Sequence, residues 1–126
     1  AAYDAAVVPL FETLGWLEDR LSSNRYLMGD RITEADWRLF PTLVRFDAVY
    51  HLHFKCNRSR LKDLPNLWAY ARELYQWPGV AQTVNFDHIV RHYHYSHNSI
   101  NPHRIIPINP TLNWNDPHQR DTHPLP

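Results

Sequence analysis

With 126 residues, 44% of them hydrophobic, the chain has the length and apolar content for one ordinary domain with a real core. Thirteen basic residues balance thirteen acidic ones, so no net positive field exists to hold a phosphate backbone or an anionic membrane, and neither nucleic acid nor a membrane is an expected partner. A single cysteine, Cys56, excludes an internal disulfide framework and points to a reducing compartment, the cytoplasm by default.

No apolar run approaches the roughly 20 residues that a membrane span needs. The opening AAYDAAVV lacks the basic and apolar regions of a signal peptide. It is also helix-compatible from Ala1 with no capping residue before it, which reads as a cut and not a natural start.

From Val7 to Leu21 the apolar positions Val7, Leu10, Phe11, Leu14, Leu17 and Leu21 recur at three- and four-residue steps and predict a first helix. Pro9 lacks an amide hydrogen, so the helix is expected to kink there or to start with Pro9 in its first turn. Tyr26 to Asp30 forms a short loop with a glycine. Thr33-Glu34-Ala35-Asp36 then reads as a capping box, with Ile32 and Trp37 as its hydrophobic staple. Thr33 and Asp36 are therefore structural N-cap residues. Leu39, Leu43, Phe46 and Tyr50 continue this second helix, which Pro41 is expected to bend.

The stretch CNRSRLKD, 56–63, is polar and basic and reads as a surface connection. Pro65 opens a third helix with Leu67, Tyr70, Ala71 and Leu74 on its inner face, and Trp77-Pro78-Gly79 ends it. A further helix is expected over part of Val80 to Tyr95, with Val84, Ile89, Val90 and Tyr93 facing inward. Beyond Asn98 six of the ten prolines accumulate, which excludes regular helix or central strand over most of the stretch. Ile100, Ile105, Ile106, Ile108 and Trp114 are too apolar for a free linker, so this tail is expected to wrap over the helical body or a partner subunit. The expected architecture is all-α, with a helical domain over 1–97 and an extended tail over 98–126.

Among groups able to carry chemistry, His88 and His92 stand one helical turn apart and His94 and His97 follow closely. Asp87 alone supplies a nearby acidic ligand, and His94 should point away from the face holding His88 and His92, so no metal is expected. The stretch His51 to Cys56 resembles half a zinc site, but no second ligand pair is evident, and Cys56 reads as inert packing before it reads as a nucleophile. Asn57-Arg58-Ser59 matches a glycosylation sequon, and since the opening does not read as a signal peptide the match is expected to be chance. Tyr50 and Tyr93 stand at the ends of two expected helices, where a phenol ring packs while its hydroxyl opens to a cleft. An ordinary half-buried tyrosine fits the same positions.

Met28-Gly29-Asp30 followed by Thr33-Glu34-Ala35-Asp36 resembles the loop and capped helix of glutathione transferase C-terminal domains. TLVRFDAVYHLHFKC (42–56), TVNFDHI (83–89), and His92-Tyr93 with Ser96-His97 and Ile100-Asn101-Pro102 are similar to the glutathionyl-hydroquinone reductases, the Xi class of that superfamily. The likeness runs almost end to end. Pro41, His51 and His103-Arg104 depart from what that class leads one to expect and put local geometry in question.

The resemblance implies a helical bundle that partners a thioredoxin-like N-terminal domain, which supplies a nucleophilic cysteine in a Cys-Pro motif and the glutathione site. The family's acid/base tyrosine falls shortly upstream of the position matching Ala1. By the same resemblance Tyr50 and Tyr93 lower the pKa of the catalytic cysteine, and Tyr93, with Tyr95 and His97 as further cleft candidates, meets the substrate. The co-substrate is glutathione or another low-molecular-weight thiol, the substrate is a quinone-type small molecule, and the assembly is a homodimer. The chain alone is expected to be inactive. The alternative is a transferase-like helical domain that serves binding or assembly without chemistry.

Overall fold

The repeat of apolar residues along the first segment produces helix α1, Ala2–Ser23. The computed structural model describes residues 2–47, 61–90 and 113–122. Phe11, Leu14, Leu17 and Leu21 of α1 are buried, with Val7 and Leu10 half-buried beside them. Pro9 lies inside the helix, not in its first turn. The missing amide there removes a single backbone hydrogen bond on an exposed flank, while four buried side chains further along hold the helix in place.

Asn24 closes α1 by donating both its backbone and side-chain N–H groups to the Arg20 carbonyl, at 3.0 and 3.1 Å. The chain then turns back on itself. Tyr26 and Gly29 exchange backbone hydrogen bonds of 2.9 and 3.1 Å, and Gly29 adopts φ 119°, where a side chain would be strained.

Helix α2, Glu34–Arg45, buries Asp36, Phe40, Leu43 and Val44. It runs through Pro41, whose ring faces solvent on the outer side. Helix α3, Pro65–Tyr75, comes after a single 3₁₀ turn at Leu61–Asp63 and has Pro at its first position. Leu67, Ala69, Tyr70, Ala71, Glu73 and Leu74 are all buried, because α3 packs against both α1 and α2. It is the central element.

Leu64, at the N-cap of α3, offers no side-chain acceptor. Glu18 of α1 supplies one instead: its carboxylate accepts the amides of Asn66 at 2.6 and 2.9 Å and of Leu67 at 3.3 and 3.2 Å. An acid at a helix N-terminus satisfies orphan donors and complements the dipole. Glu18→Ala is expected to destabilise the chain by about 1–2 kcal/mol in urea unfolding, as loss of an N-cap acceptor does; Glu18→Gln should cost less.

After α3, Gly79 at φ 87° supports the turn, and Ala81–Thr83 forms a 3₁₀ turn. The helix expected over part of Val80 to Tyr95 begins at 86, since Val84 is extended and Asn85 stands as the cap. Asn85 Oδ1 accepts the His88 amide at 3.0 Å. Phe86 and Ile89 of this helical segment, 86–90, pack on the core.

Segment 113–122 returns across the bundle. Trp114 is buried against Trp68, Tyr75 and Phe86, with ring centroids at 4.8, 5.4 and 5.7 Å. Gln76 ties the same turn down by donating to the carbonyls of Trp114 and Asp116, at 2.9 and 2.7 Å. The isoleucines expected to pack beside it, Ile100 to Ile108, lie outside the described residues.

Candidate functional site

The buried polar groups gather around two carboxylates, Asp36 of α2 and Glu73 of α3. Asp36 is fully buried and accepts four hydrogen bonds. Oδ2 takes the Thr33 amide at 2.8 Å and its hydroxyl at 3.4 Å. Oδ1 takes the Leu27 amide at 3.0 Å and the Tyr70 phenol at 2.7 Å. Thr33 and Asp36 thus meet as the capping box of α2, and of its two halves the carboxylate one is the well-formed bond. The same carboxylate also joins the 25–33 turn to α3, which a capping role alone would not require.

Glu73 is 3% exposed and is encircled by donors. Its Oε1 accepts the Tyr26 phenol at 2.6 Å and Arg25 Nε at 2.8 Å. Arg120, from the far end of the chain, stands with Nε 3.2 Å from Glu73 Oε2, close enough for an ion pair although misaligned for a hydrogen bond. Its Nη2 donates to the carbonyls of Asn24 at 3.0 Å and Arg25 at 2.6 Å, with the Leu21 carbonyl at 3.4 Å. A wholly buried guanidinium thereby closes the C-terminal end of α1.

Burial, and then the bond to Glu73, push the Tyr26 phenol up to about 12. Burial first and the Asp36 carboxylate second push Tyr70 upward too. Burial pulls Arg120 below its ordinary value against the pull of Glu73. For Arg25 burial also opposes the charge, but the Glu73 carboxylate prevails and the pKa rises. Phenols held protonated and bonded to buried carboxylates are fixed donors, not acid/base groups for a substrate. The cluster is a structural lock.

The sequence signals for this lock are uneven. An acid at 73 interrupts the apolar face of Tyr70, Ala71 and Leu74, and a buried carboxylate demands a partner. Arg120, in a proline-rich tail, gives no such signal.

Tyr50, Tyr93, Tyr95 and His97, the residues expected to act in chemistry, lie outside the described residues, as do Cys56, His92 and His94. The frame on either side of them is described. Asp47 is buried, and its Oδ1 accepts the Leu61 amide at 2.6 Å, tying together the two ends from which 48–60 departs. The described part of the helix that begins at 86 reaches residue 90, and Tyr93 lies beyond the described residues. His88 is exposed and His118 accepts the Arg120 amide through Nδ1 at 3.0 Å. Among the described residues no three His, Cys, Asp or Glu side chains gather as metal ligands, and no helix is long and apolar enough to cross a membrane.

Helices α1 and α2 packed on a central α3, with α2 entered through a Thr33-Asp36 capping box, form a helical domain of the glutathione-transferase type. The family model "Glutathione S-transferase, C-terminal domain" matches residues 1–73, and the chain belongs to that family. Within it, the chain is 54% identical over 120 residues to the glutathionyl-hydroquinone reductase YqjG of Escherichia coli, a match covering 95% of this chain and 37% of that protein. It is likewise 54% identical to the glutathionyl-hydroquinone reductase PcpF of Sphingobium chlorophenolicum, covering 86% of this chain and 35% of that one.

The glutathione-bound structure of YqjG superposes with a TM-score of 0.94 over 96% of this chain and 39% of that one, at 54% identity. A Xi-class transferase from Natrialba magadii gives 0.93 over 94% of this chain and 36% of that one, at 52% identity. The chain therefore spans little more than a third of these relatives' length.

Proposed function

We propose that this chain is the hydroquinone-side helical domain of an enzyme that reduces glutathionyl-hydroquinones to hydroquinones. The observation that carries the reading is the 54% identity to two glutathionyl-hydroquinone reductases of different bacteria. The glutathione-bound structure of one of them supports glutathione as co-substrate. The nucleophile, a cysteine in a thioredoxin-like domain joined to this one, attacks the sulfur of the conjugate. A protein–glutathione disulfide forms, the sulfur–ring carbon bond breaks, and the ring carbon takes up a proton as the hydroquinone leaves. A second glutathione thiolate then attacks the mixed disulfide, giving glutathione disulfide and restoring the cysteine thiolate. The sulfurs are oxidised by two electrons and the ring is reduced by two. The enzyme acts as a homodimer in the cytoplasm.

Tyr50 and Tyr93 act on this chemistry by donating hydrogen bonds to the thiolate. A thiolate gains more from a phenol donor than a neutral thiol does, so the donors lower the cysteine pKa. Tyr93 also meets the ring of the substrate, with Tyr95 and His97 beside it.

In the two-domain protein, Tyr93→Phe is expected to raise the thiol pKa by about one unit, the scale of a lost hydrogen bond to a charged group. The midpoint of the alkylation rate against pH then moves up, and turnover at neutral pH falls with the thiolate fraction. An unchanged alkylation profile would remove Tyr93 from this role. A transferase-like domain used only for assembly predicts no turnover of the conjugate at all.

A further inference from the structure

The segment 113–122 is fastened to the helical body by side chains towards both of its ends. At one end the Trp114 ring stands 4.8 Å from Trp68 and 5.4 Å from Tyr75, and Gln76 bonds to the carbonyls of Trp114 and Asp116. Arg72 of α3 donates to the Pro117 carbonyl at 3.1 Å. At the other end the fully buried Arg120 guanidinium donates to the carbonyls of Asn24 and Arg25. Two residues separate Pro117 from Arg120, and the second of them, Gln119, adopts φ 60°, the one positive value at a non-glycine among the described residues. An L-residue takes that conformation at a cost and persists in it only where its surroundings impose it.

His118 supplies the constraint. Its Nδ1 accepts the Arg120 amide at 3.0 Å and closes a loop across Gln119. Arg120 then opens the 3₁₀ turn Arg120–Thr122 with its guanidinium on the end of α1. An imidazole nitrogen accepts a hydrogen bond only while it carries no proton, so this bond requires a neutral ring with its hydrogen on Nε2. The imidazolium has two donors and no acceptor. Protonation therefore strands the Arg120 amide and places a cation two residues from a buried guanidinium. Histidine is the side chain whose charge changes between about pH 5 and 8.

The charged groups that meet this last turn are Arg25, Arg72 and Glu73 from the helical body and Asp116, Arg120 and Asp121 from the segment itself. The three carboxylates are already engaged. Glu73 pairs with Arg25 and Arg120, Asp121 pairs with Arg25, and Asp116 accepts from Asn113 Nδ2 at 2.7 Å. A positive charge added at position 118 thus joins three guanidinium groups whose counter-charges are committed.

We infer that His118 makes the end of this segment an acid-released latch: neutral, its Nδ1 holds the turn at Gln119 and delivers Arg120 to its seat; protonated, it lets the turn go. Release starts at 118–122, while Trp114 and the Gln76 bonds hold the other end in place. The latch is closed at neutral pH and opens as the pH falls.

Amide hydrogen exchange at Arg120, followed by NMR in the chain and corrected for intrinsic exchange, tests this at about pH 7.5 and about pH 5.5, towards the two ends of the histidine range. The wild type is expected to lose roughly 2- to 10-fold in protection at the lower pH, the ratio that one net hydrogen bond represents. His118→Asn keeps an acceptor oxygen for the amide two residues on and does not titrate, so its protection should be alike at both. Equal protection of the wild type at the two pH values overturns the inference, and so does an equal loss in His118→Asn, which would assign the effect to another group. Should His118→Asn leave Arg120 unprotected even at the higher pH, the imidazole nitrogen shifts of the wild type decide. A ring with its hydrogen on Nε2 at the higher pH, turning into imidazolium as Arg120 loses protection, supports the latch; a hydrogen on Nδ1 at the higher pH overturns it.

Discussion

Replacing Asp36 by alanine is expected to destabilise the chain by about 4 kcal/mol, because it strands several buried donors at ~1–3 kcal/mol each. The Tyr70 phenol and the Leu27 amide lose their acceptor in the interior, and the Thr33 amide loses its cap. A domain of this size has about 5–15 kcal/mol in total, so such a loss approaches unfolding. Asp36→Asn retains an acceptor oxygen and should fall between wild type and alanine. Urea unfolding followed by circular dichroism measures the effect; a change below about 1 kcal/mol would mean that the cluster reorganises around other acceptors.

Arg120→Ala is the second large effect, an expected loss of about 3–5 kcal/mol, the usual consequence of removing one partner from a buried ion pair. The carbonyls of Asn24 and Arg25 lose their donor, and among the described residues Glu73 keeps Arg25 to balance its charge, together with the Tyr26 phenol. The segment 113–122 keeps Trp114 and the Gln76 bonds but loses its charged anchor on the helical body, so limited proteolysis should cut there in the variant before the wild type is cut. Pairing Arg120→Met with Glu73→Gln should recover part of the loss, because the uncompensated charge goes as well. Equal resistance to proteolysis and an unchanged unfolding midpoint would show that the guanidinium contributes no net stability.

How much of the fold was legible in the residues depended on whether a signal was local. The stripe from Val7 to Leu21, the Thr33-Asp36 box and the Pro65 start each lie within one element, where periodicity and capping chemistry act over a few residues, and each marks an element that the structure contains. The entry of α1 was not legible, because Pro9 argues for a boundary while the tertiary packing downstream overrides the lost hydrogen bond. Phe40, which is buried in the core, falls off the face that the spacing through Leu39 predicts.

Groups joined across the chain had no such signature. Glu18 caps a helix that starts 47 residues later, at Pro65, and Arg120 reaches carbonyls 95 and 96 residues away. Both are ordinary charged residues in the sequence, and only the fold gives them partners. The roles expected of Tyr50 and Tyr93 rest on family resemblance, since a phenol in isolation carries no mark of its role, and both residues lie outside the described ones.

The most direct measurement is glutathione-dependent turnover of a glutathionyl-hydroquinone by the two-domain protein proposed to contain this chain, with the chain assayed alone beside it. The predicted result is release of free hydroquinone with stoichiometric glutathione disulfide by the two-domain protein, and none by the isolated chain. No hydroquinone from the two-domain protein, under conditions where it binds glutathione, would contradict the reductase reading.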